Sequence, residues 1–286
     1  MKKTKIPILL AIITLLILFF SCKYIITINN NLNNNMIIHY IDVGQGDCIL
    51  IQVNNKNLLI DSGPSTSRKS LLKYLNKIKV KKFDYIIATH PHEDHIGNMD
   101  TIIKRFNVEK FYAPKVTTTS ITFENMISAL IDKNLKINIL KKESKSINLG
   151  KNTSIQIFSP EENISTDNLN NYSPIIKINF LNTSFLFTGD AEAIIEEEII
   201  SENPDLKCDI LKVGHHGSST STSSKFLTSA NPSIAIISVG KNNTYGHPSL
   251  ETLNLLDAMN IQTIRTDISG TIIVTSDGKN INISRN

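Results

Sequence analysis

One stretch decides the fold: Asp84-Tyr-Ile-Ile-Ala-Thr-His90-Pro-His92-Glu-Asp94-His95. Its first half is an apolar, isoleucine-rich run of the length of a buried strand. Its second half places three histidines and an aspartate within six residues. Imidazole and carboxylate groups are standard ligands for zinc and similar cations. Because a turn at the end of a strand can point such side chains into one cleft, the stretch predicts a metal site.

Around this stretch, residues 37–286 alternate between β-branched apolar runs and segments of helical spacing. Ile37 to Val43 and Cys48 to Val53 are typical strands. Ser67 to Val80 shows leucines and isoleucine at helical intervals. The alternation occurs in two successive halves, so we expect an α/β (α+β) protein with two mixed sheets face to face, covered by helices.

The charge of the chain does not indicate a nucleic-acid-binding surface. The formal net charge is +4, and four lysines lie in the first 23 residues without an acidic residue among them: Lys2, Lys3, Lys5 and Lys23. Subtracting these four leaves the rest of the chain near zero, which is not the basic footprint of a nucleic-acid-binding domain. The three cysteines form no CxxC pair, so zinc-finger and disulfide-framework proteins are excluded.

The N-terminus has the pattern of an export signal. Lysines precede an apolar run from Ile6 to Phe20, which predicts a signal anchor or a lipoprotein signal over residues 1–28. In the second case Cys22 is the lipidated residue, and a cleaved signal is a third alternative. All three place the protein at the extracytoplasmic face of the membrane or outside the cell. Residues 29–36 are predicted to be an asparagine-rich tether, and residues 37–286 the folded domain.

Three further motifs follow in order, and with the first they identify a family. They are Asp61-Ser-Gly63, Thr188-Gly-Asp190 and His215-His216-Gly-Ser218. Together with His90-x-His92-x-Asp94-His95, they resemble the signature of the metallo-β-lactamase superfamily. The resemblance implies a four-layer αββα sandwich that binds one or two divalent metal ions. It also implies that Asp61 braces the site and that Asp190 bridges the two metals.

The resemblance implies metal ligands at seven positions: His90, His92, Asp94, His95, Asp190, His215 and His216. Of the tandem pair, we prefer His215 as the ligand because it lies closer to the end of the preceding strand. A third histidine expected for the first metal is missing, since no histidine occurs between Ile96 and Gly214. Asn171 and Ser173 stand near that place, and their oxygens suit a cation harder than zinc. Zinc and manganese are therefore both candidates, and magnesium is a third.

Several segments resemble one branch of the superfamily, the hydrolase domain of ComEC-type competence proteins, which act in bacterial DNA uptake. The matching segments include Asp42 to Asp47, Phe187 to Asp190, Leu211 to Ser218 and Tyr245 to Pro248. This resemblance implies a phosphodiesterase or nuclease, with DNA or another phosphodiester as substrate and the competence machinery as a partner. Nothing in the sequence indicates an oligomeric state.

Three residues are candidates for direct catalytic roles. Asp94 would orient the attacking hydroxide, and His247 would contact substrate or transfer a proton. Ser218 belongs to a serine- and threonine-rich loop, residues 217–224, which would donate hydrogen bonds to phosphate oxygens. The alternatives are a loop histidine with a structural role and a loop that is merely solvated.

Two other functions compete with the nuclease. One is hydrolysis of a small ester, lactone or amide, although the missing histidine disfavours a β-lactamase. The other is a surface binding protein with a purely structural metal. Structural metal sites normally have a closed coordination shell, so the incomplete ligand set of the first metal ranks this hypothesis last.

Overall fold

The computed structural model describes Thr14, Leu16, Ile17 and Phe19, together with residues 35–202 and 204–285. The predicted export signal and tether therefore lie almost entirely outside the described residues and stay predictions. Among the described residues, no helix is long and apolar enough to cross a membrane. Residues 36–286 form one compact unit.

The first sheet is mixed, with an antiparallel half and a parallel half. In spatial order its strands are β14 (Ile281–Arg285), β13 (Ile272–Ser276), β1 (Met36–Tyr40), β2 (Ile49–Val53), β3 (Lys56–Ile60), β4 (Lys82–Ile87), β5 (Asn107–Ala113) and β6 (Ile137–Ile139). The strands from β14 to β3 pair antiparallel, whereas those from β3 to β6 pair parallel.

The second sheet repeats this plan with six strands. In spatial order the strands are β12 (Gln262–Arg265), β11 (Ile234–Ile237), β10 (Ile210–Lys212), β9 (Thr183–Phe187), β8 (Ile176–Phe180) and β7 (Thr153–Ile157). Strands β7, β8 and β9 pair antiparallel, and β9 continues through β10 and β11 to β12 in parallel pairs.

The helices connect the strands, mostly in the parallel halves of the sheets. They are α1 (Arg68–Lys77), α2 (Glu93–Ile96), α3 (Met99–Arg105), α4 (Ile121–Asp132), α5 (Ala193–Ser201), α6 (Ser224–Ala230), α7 (Leu250–Ala258) and α8 (Thr266–Ser269). Within the described residues, short 3₁₀ turns occur at Ser65–Ser67, Leu169–Tyr172 and Gly214–Gly217. Gly97 and Asn98 separate α2 from α3.

Three apolar layers hold the fold together and define its architecture. The central layer joins the facing surfaces of the two sheets, for example Tyr40 of β1 and Phe187 of β9, whose rings stack with centroids 6.2 Å apart. A second layer packs α1 to α4 on the outer face of the first sheet. A third packs α5, α6 and α7 on the outer face of the second sheet. The predicted fold, two mixed sheets face to face between layers of helices, is confirmed.

The parallel halves place the polar motifs at one edge. In the first sheet Ile60 of β3 lies opposite Ile87 of β4, and in the second Phe187 of β9 lies opposite Lys212 of β10. Parallel neighbours end at the same edge of a sheet, and ligands of open α/β sheets bind beyond these carboxyl ends. The segments that follow these four strands carry Asp61, the His90 cluster, Asp190 and the tandem histidines.

A buried carboxylate fixes the loop that follows the tandem histidines. Glu196 of α5 is fully buried, and its two carboxylate oxygens accept hydrogen bonds from the backbone N–H groups of Thr222 and Ser223. Ser223 also caps α6, because its side chain accepts from the N–H of Phe226. Glu196 therefore links α5 to the start of α6 and holds residues 217–224 in place.

We expect Glu196→Gln to lower the free energy of unfolding by about 1–3 kcal/mol, because the amide keeps one acceptor and turns N–H hydrogens toward a backbone N–H. Urea unfolding measures this change. The matched control is Glu197→Gln on the same helix. Glu197 is exposed and pairs with Lys225 at 3.0 Å, and its loss should cost no more than about 0.5 kcal/mol. Equal effects of the two substitutions would contradict the assigned role of Glu196.

Candidate metal centre

His95 stands at the middle of the site, between carboxylates from the two halves of the fold. Its Nδ1 lies 2.8 Å from Oδ2 of Asp61, which follows β3, and its Nε2 lies 3.1 Å from Oδ2 of Asp190, which follows β9. Asp61 also accepts hydrogen bonds from the N–H and the hydroxyl of Thr89, at 2.8 and 2.7 Å. Asp61 thus contacts the ring nitrogen of His95 that faces away from Asp190, at the position where the family resemblance implies a bracing residue.

Four potential ligands converge on one point. The ligand atoms of Asp94, His95, Asp190 and His216 all lie within 4.8 Å of one another. Nε2 of His216 is 3.3 Å from Oδ2 of Asp94 and 3.5 Å from Oδ2 of Asp190. We call Asp94, His95 and His216 the second donor set, and Asp190 adjoins it.

His90 and His92 form a first donor set on the other side of Asp190. Nε2 of His90 faces Nδ1 of His92 at 2.9 Å and lies 3.8 Å from Oδ2 of Asp190. The opposite nitrogen of His90 contacts the hydroxyls of Thr89 and Ser173, at 3.1 and 3.2 Å. One carboxylate oxygen of Asp190 therefore lies between two groups of imidazole nitrogens, which is the arrangement expected of a bridging ligand.

Of the tandem histidines, the structure places His216 rather than His215 among the potential metal ligands, whereas the sequence led us to prefer His215. His216 is buried and belongs to the four-residue cluster, whereas Nε2 of His215 lies 3.7 Å from Asp190 and its side chain is 22% exposed. Both residues adopt left-handed backbone conformations, with φ of 47° and 53°. This unusual pair of dihedrals turns the second ring inward, and Nδ1 of His216 lies 2.9 Å from the carbonyl oxygen of Ser238. The geometry therefore favours His216, not His215, as the ligand.

The electrostatics of the centre favour bound positive charge. Burial acts to lower the pKa of His95, but the carboxylates of Asp190, Asp94 and Asp61 together raise it well above its usual value. His216 follows the same pattern against the same burial, and Asp190 and Asp94 raise its pKa to about 10. Burial acts to raise the pKa of Asp190, yet the two imidazoles hold it well below its ordinary range. The protein thus keeps protons on these imidazoles where a cation would otherwise neutralise the carboxylates.

The first donor set behaves differently, because burial lowers the pKa of His90 and His92. Both rings are therefore neutral and offer lone pairs. In the described part of the structure, Oδ1 of Asp190 and Nε2 of His216 are buried and make no hydrogen bond. Buried polar atoms are normally satisfied, so these atoms and the nitrogen-and-carboxylate chemistry of the donors fit one or two divalent cations.

The place of the missing third histidine is filled differently from our expectation. The hydroxyl of Ser173 bonds the rear nitrogen of His90 and accepts from the N–H of Asp190 at 3.1 Å. The amide oxygen of Asn171 accepts from the backbone of Glu192. Both residues therefore brace ligands rather than face the cleft. In this segment the residue that lines the cleft is Asn170. Asn170 and Asn171 are identical neighbours in the sequence, and no local signal indicates which of the two side chains faces the cleft.

The buried hydroxyls of the serine- and threonine-rich loop, residues 217–224, are bonded within the protein, whereas Ser219 and Thr220 are exposed. Ser218 is buried, and its side chain contacts that of Thr220 at 3.1 Å. The hydroxyl of Ser221 donates to the carbonyl of Ala191, and that of Thr222 accepts from the N–H of Gly214. The expectation that Ser218 contacts the substrate is therefore corrected. Its side chain is buried, and the hydroxyls of this loop bond within the protein and hold the segment that carries the tandem histidines.

A buried ion pair beside His216 also escaped the sequence reasoning. Nζ of Lys212 lies 2.8 Å from Oδ2 of Asp47, and both side chains are shielded from solvent. The other carboxylate oxygen of Asp47 lies 3.6 Å from Nδ1 of His216. A lysine within the apolar strand β10 was the available signal, because a buried lysine requires a partner.

The centre opens into a cleft of about 350 Å³. Metal-site residues form its floor, and the loop that carries His247 forms part of its wall. Its lining residues are Gln45, His92, Glu93, Asp94, Asn170, Asp190, His215, His216, Tyr245 and His247. His247 is half-buried, with its ring 5.6 Å from that of His215. The structure thus brings the predicted His247 to the cleft, together with Gln45 and Tyr245, which we had not singled out.

Known proteins resemble this chain in sequence and in fold. The chain is 32% identical over 250 residues to ComE operon protein 3 of Bacillus subtilis, covering 81% of this chain and 32% of that protein. It is 27% identical over 233 residues to Competence protein ComA of Neisseria gonorrhoeae, covering 81% and 31%. The chain thus spans about a third of the length of these relatives.

The crystal structure of the metallo-beta-lactamase fold protein YhfI from Bacillus subtilis superimposes with a TM-score of 0.57 at 13% identity, covering 85% of this chain and 99% of that one. At this identity the likeness concerns the fold alone. The model of the metallo-beta-lactamase superfamily matches residues 41–241, a range that contains every residue of both donor sets. With its two sheets, its edge-located histidine cluster and these matches, the chain belongs to the metallo-β-lactamase superfamily of metal-dependent hydrolases.

Proposed function

We propose that this hydrolase is a phosphodiesterase that cleaves nucleic acid, with DNA outside the cytoplasm as its substrate. The observation that carries the proposal is the position of Asp190, whose Oδ2 lies between the first and second donor sets at 3.1 to 3.8 Å from four imidazoles. Two cations that share such a carboxylate suit in-line displacement at phosphorus, because one can stabilise the entering and the other the leaving oxygen.

The names of the relatives support a role that involves DNA. One of them is named a competence protein, and competence involves the handling of DNA. We infer that this chain contributes a hydrolytic step to competence or DNA uptake, with the competence machinery as its partner. Its near-neutral domain makes the metal centre, rather than a basic surface, the element that recognises the phosphodiester.

The ligands divide between two positions. His90 and His92 would hold the first cation, Asp94, His95 and His216 the second, and Asp190 would contact both. A divalent cation held by these residues would lower the pKa of a coordinated water and offset charge on phosphate oxygens. The first position has two imidazoles, and Asn170 adds a buried amide oxygen without a hydrogen-bond partner in the described part of the cleft. Oxygen donors suit manganese and magnesium better than zinc.

His247 lines the cleft beside the metal centre, where its ring could contact the substrate. Burial, with His215 and His216 beside it, lowers the pKa of His247, so the ring is neutral at physiological pH and can accept a proton or a hydrogen bond. His215 lies between this ring and Asp190. We assign His215 and His247 to substrate contact and proton transfer, and Asp94 to the orientation of the attacking oxygen.

The cleft meets phosphate charge without basic side chains. Among the described residues that line it, no lysine or arginine occurs, while Glu93, Asp94 and Asp190 are acidic. An anionic substrate would be repelled by this lining unless cations were bound. The proposed activity therefore depends wholly on the metal.

We expect His216→Ala to weaken the binding of Mn²⁺ by at least about 100-fold, since loss of a ligand's outer partner alone costs about 10–100-fold. His215→Ala is the matched control on the neighbouring residue, and it should keep the affinity within about threefold while lowering turnover. Titration calorimetry of the two variants measures this difference. The assignment is wrong if the two affinities change in the opposite order.

Metal binding should release protons and strengthen as pH rises. The pKa of His95 and His216 is raised, so both rings are protonated near neutral pH and must lose a proton before they bind a cation. The apparent affinity for Mn²⁺ should therefore increase from about pH 6 to about pH 9. Calorimetry in buffers of different ionisation enthalpy counts the protons released, and an affinity independent of pH would contradict the assigned protonation.

The purified chain loaded with Mn²⁺, Zn²⁺ or Mg²⁺ should hydrolyse single-stranded DNA and bis-p-nitrophenyl phosphate, and it should not open a chromogenic lactam. Asp94→Ala and His95→Ala should each lower kcat/KM by about two or more orders of magnitude. Spectrophotometric assays measure the rates on the chromogenic substrates, and gel assays measure the rates on DNA. Lactam turnover with inert phosphodiesters would overturn the nuclease proposal, and undiminished activity in both variants would overturn the metal mechanism.

A further inference from the structure

We propose that Tyr245 is a stacking platform for a nucleobase beside the cleaved bond, so that the substrate is single-stranded nucleic acid read without sequence preference. This inference rests on the proposed function, because it names the substrate form that the same site accepts. No motif in the sequence assigned a role to Tyr245. Its position on the wall of the cleft, with most of its ring exposed, is what gives it one.

A continuous row of rings leads from the metal site to Tyr245. Nε2 of His215 lies 3.7 Å from Asp190, and the ring of His247 packs edge-on against His215 at 5.6 Å. The ring of Tyr245 then lies nearly parallel to His247, with centroids 5.9 Å apart and planes inclined by 18°. Tyr245 is nonetheless 69% exposed. Among the described residues, His247 is the one ring stacked on it, so much of the tyrosine surface is open to a ligand.

The loop that carries Tyr245 is held rigidly by one side chain. The amide oxygen of Asn243 accepts from the N–H groups of Tyr245 and His247, both at 3.1 Å. Its amide nitrogen donates to the carbonyls of Gly240 and His247, at 3.0 and 2.6 Å. All the hydrogen-bonding capacity of one asparagine is thus spent on fixing this loop. A platform that is already ordered loses little conformational entropy when a ligand binds.

Both ends of the loop are fixed to elements of the site. The N–H of Gly240 donates to the side chain of Gln45, another cleft residue, at 3.0 Å. At the other end, the N–H of Ser249 donates to the carbonyl of Gly217 at 2.8 Å. A side chain on Gly217 would have its Cβ only 2.5 Å from Cβ of Pro248. The tyrosine is therefore placed by the same segment that places His216.

The chemistry of the cleft selects a base in a single strand as the occupant. Base-on-aromatic stacking is favourable for every base, because each has a π-face, and so it tolerates all sequences. The described lining holds no lysine or arginine, and stacking on Tyr245 would hold the nucleoside beside a metal-bound phosphate. The bases of a duplex are already stacked on one another, and exposing one costs a few kcal/mol. A duplex is therefore a poor substrate for this platform.

The test compares Tyr245→Ala, Tyr245→Phe and the control Leu250→Ala in the full chain loaded with Mn²⁺. Leu250 is 76% exposed and follows the same loop, so it matches Tyr245 in exposure without lining the cleft. The substrates are a mixed-sequence single-stranded oligodeoxynucleotide, its duplex, and the same strand with abasic tetrahydrofuran residues. Binding is followed separately through a 2-aminopurine base, whose fluorescence falls on stacking, in a chain that contains no tryptophan.

We expect Tyr245→Ala to lower kcat/KM on the single strand by about tenfold or more and to abolish the 2-aminopurine quenching. Tyr245→Phe and Leu250→Ala should behave like the wild type. The abasic strand and the duplex should be poor substrates whose turnover is insensitive to all three substitutions. Equal losses on the normal and abasic strands, or unchanged quenching in Tyr245→Ala, would overturn the stacking role.

The two proposals fail in different ways. If the wild-type chain cleaves no phosphodiester with any metal, the proposed function is wrong, and the comparison of 2-aminopurine quenching between the wild type and Tyr245→Ala then decides whether a base stacks on Tyr245. If the wild-type chain cleaves the single strand, the duplex and the abasic strand equally well, the phosphodiesterase stands and the platform is overturned.

Discussion

The structure of the site depends on one interaction, the clasp of His95 between Asp61 and Asp190. Asp61 follows a strand of the first sheet and Asp190 a strand of the second, so the ring joins the two sheets at 2.8 and 3.1 Å. All three side chains are shielded from solvent. Since an unpaired charge in such surroundings costs several kcal/mol, the sheets must meet in the register that brings these groups together. The other donors then follow from the segments that carry them.

Burying these carboxylates together costs electrostatic free energy, which protonated imidazoles and a neighbouring lysine offset. The carboxylates around His95 and His216 raise the pKa of both rings, and Lys212 neutralises Asp47 one shell away. Three of the proposed imidazole ligands also have a rear contact that fixes their orientation: Asp61 for His95, Ser238 for His216, and Thr89 with Ser173 for His90. Such outer partners set the tautomer of a ligating imidazole. The residues behind the imidazoles thus orient these rings toward the position that a cation would occupy.

The cleft divides the labour of recognition between its floor and its wall. The floor is acidic and rich in imidazoles, and the wall holds a rigid row of rings ending in an exposed tyrosine. In the proposed function, a nucleotide unit would present its phosphate to cations bound at the floor and its base to the exposed tyrosine. The near-neutral domain charge agrees with this division, because affinity need not come from a basic surface.

The sequence by itself determined the fold class and most of the ligand set. Strand and helix periods are local, and the spacing of His90, His92, Asp94 and His95 on a strand-end turn makes their convergence a short-range property. The tertiary structure alone decided which residues complete the site. His215 and His216 are chemically identical neighbours, and the choice between them depends on two left-handed backbone conformations and on Ser238, 22 residues away along the chain. Likewise, Asn170 rather than Asn171 lines the cleft, and Tyr245 lines the same cleft as Asp190, because contacts distant in sequence fix orientations that no local pattern encodes.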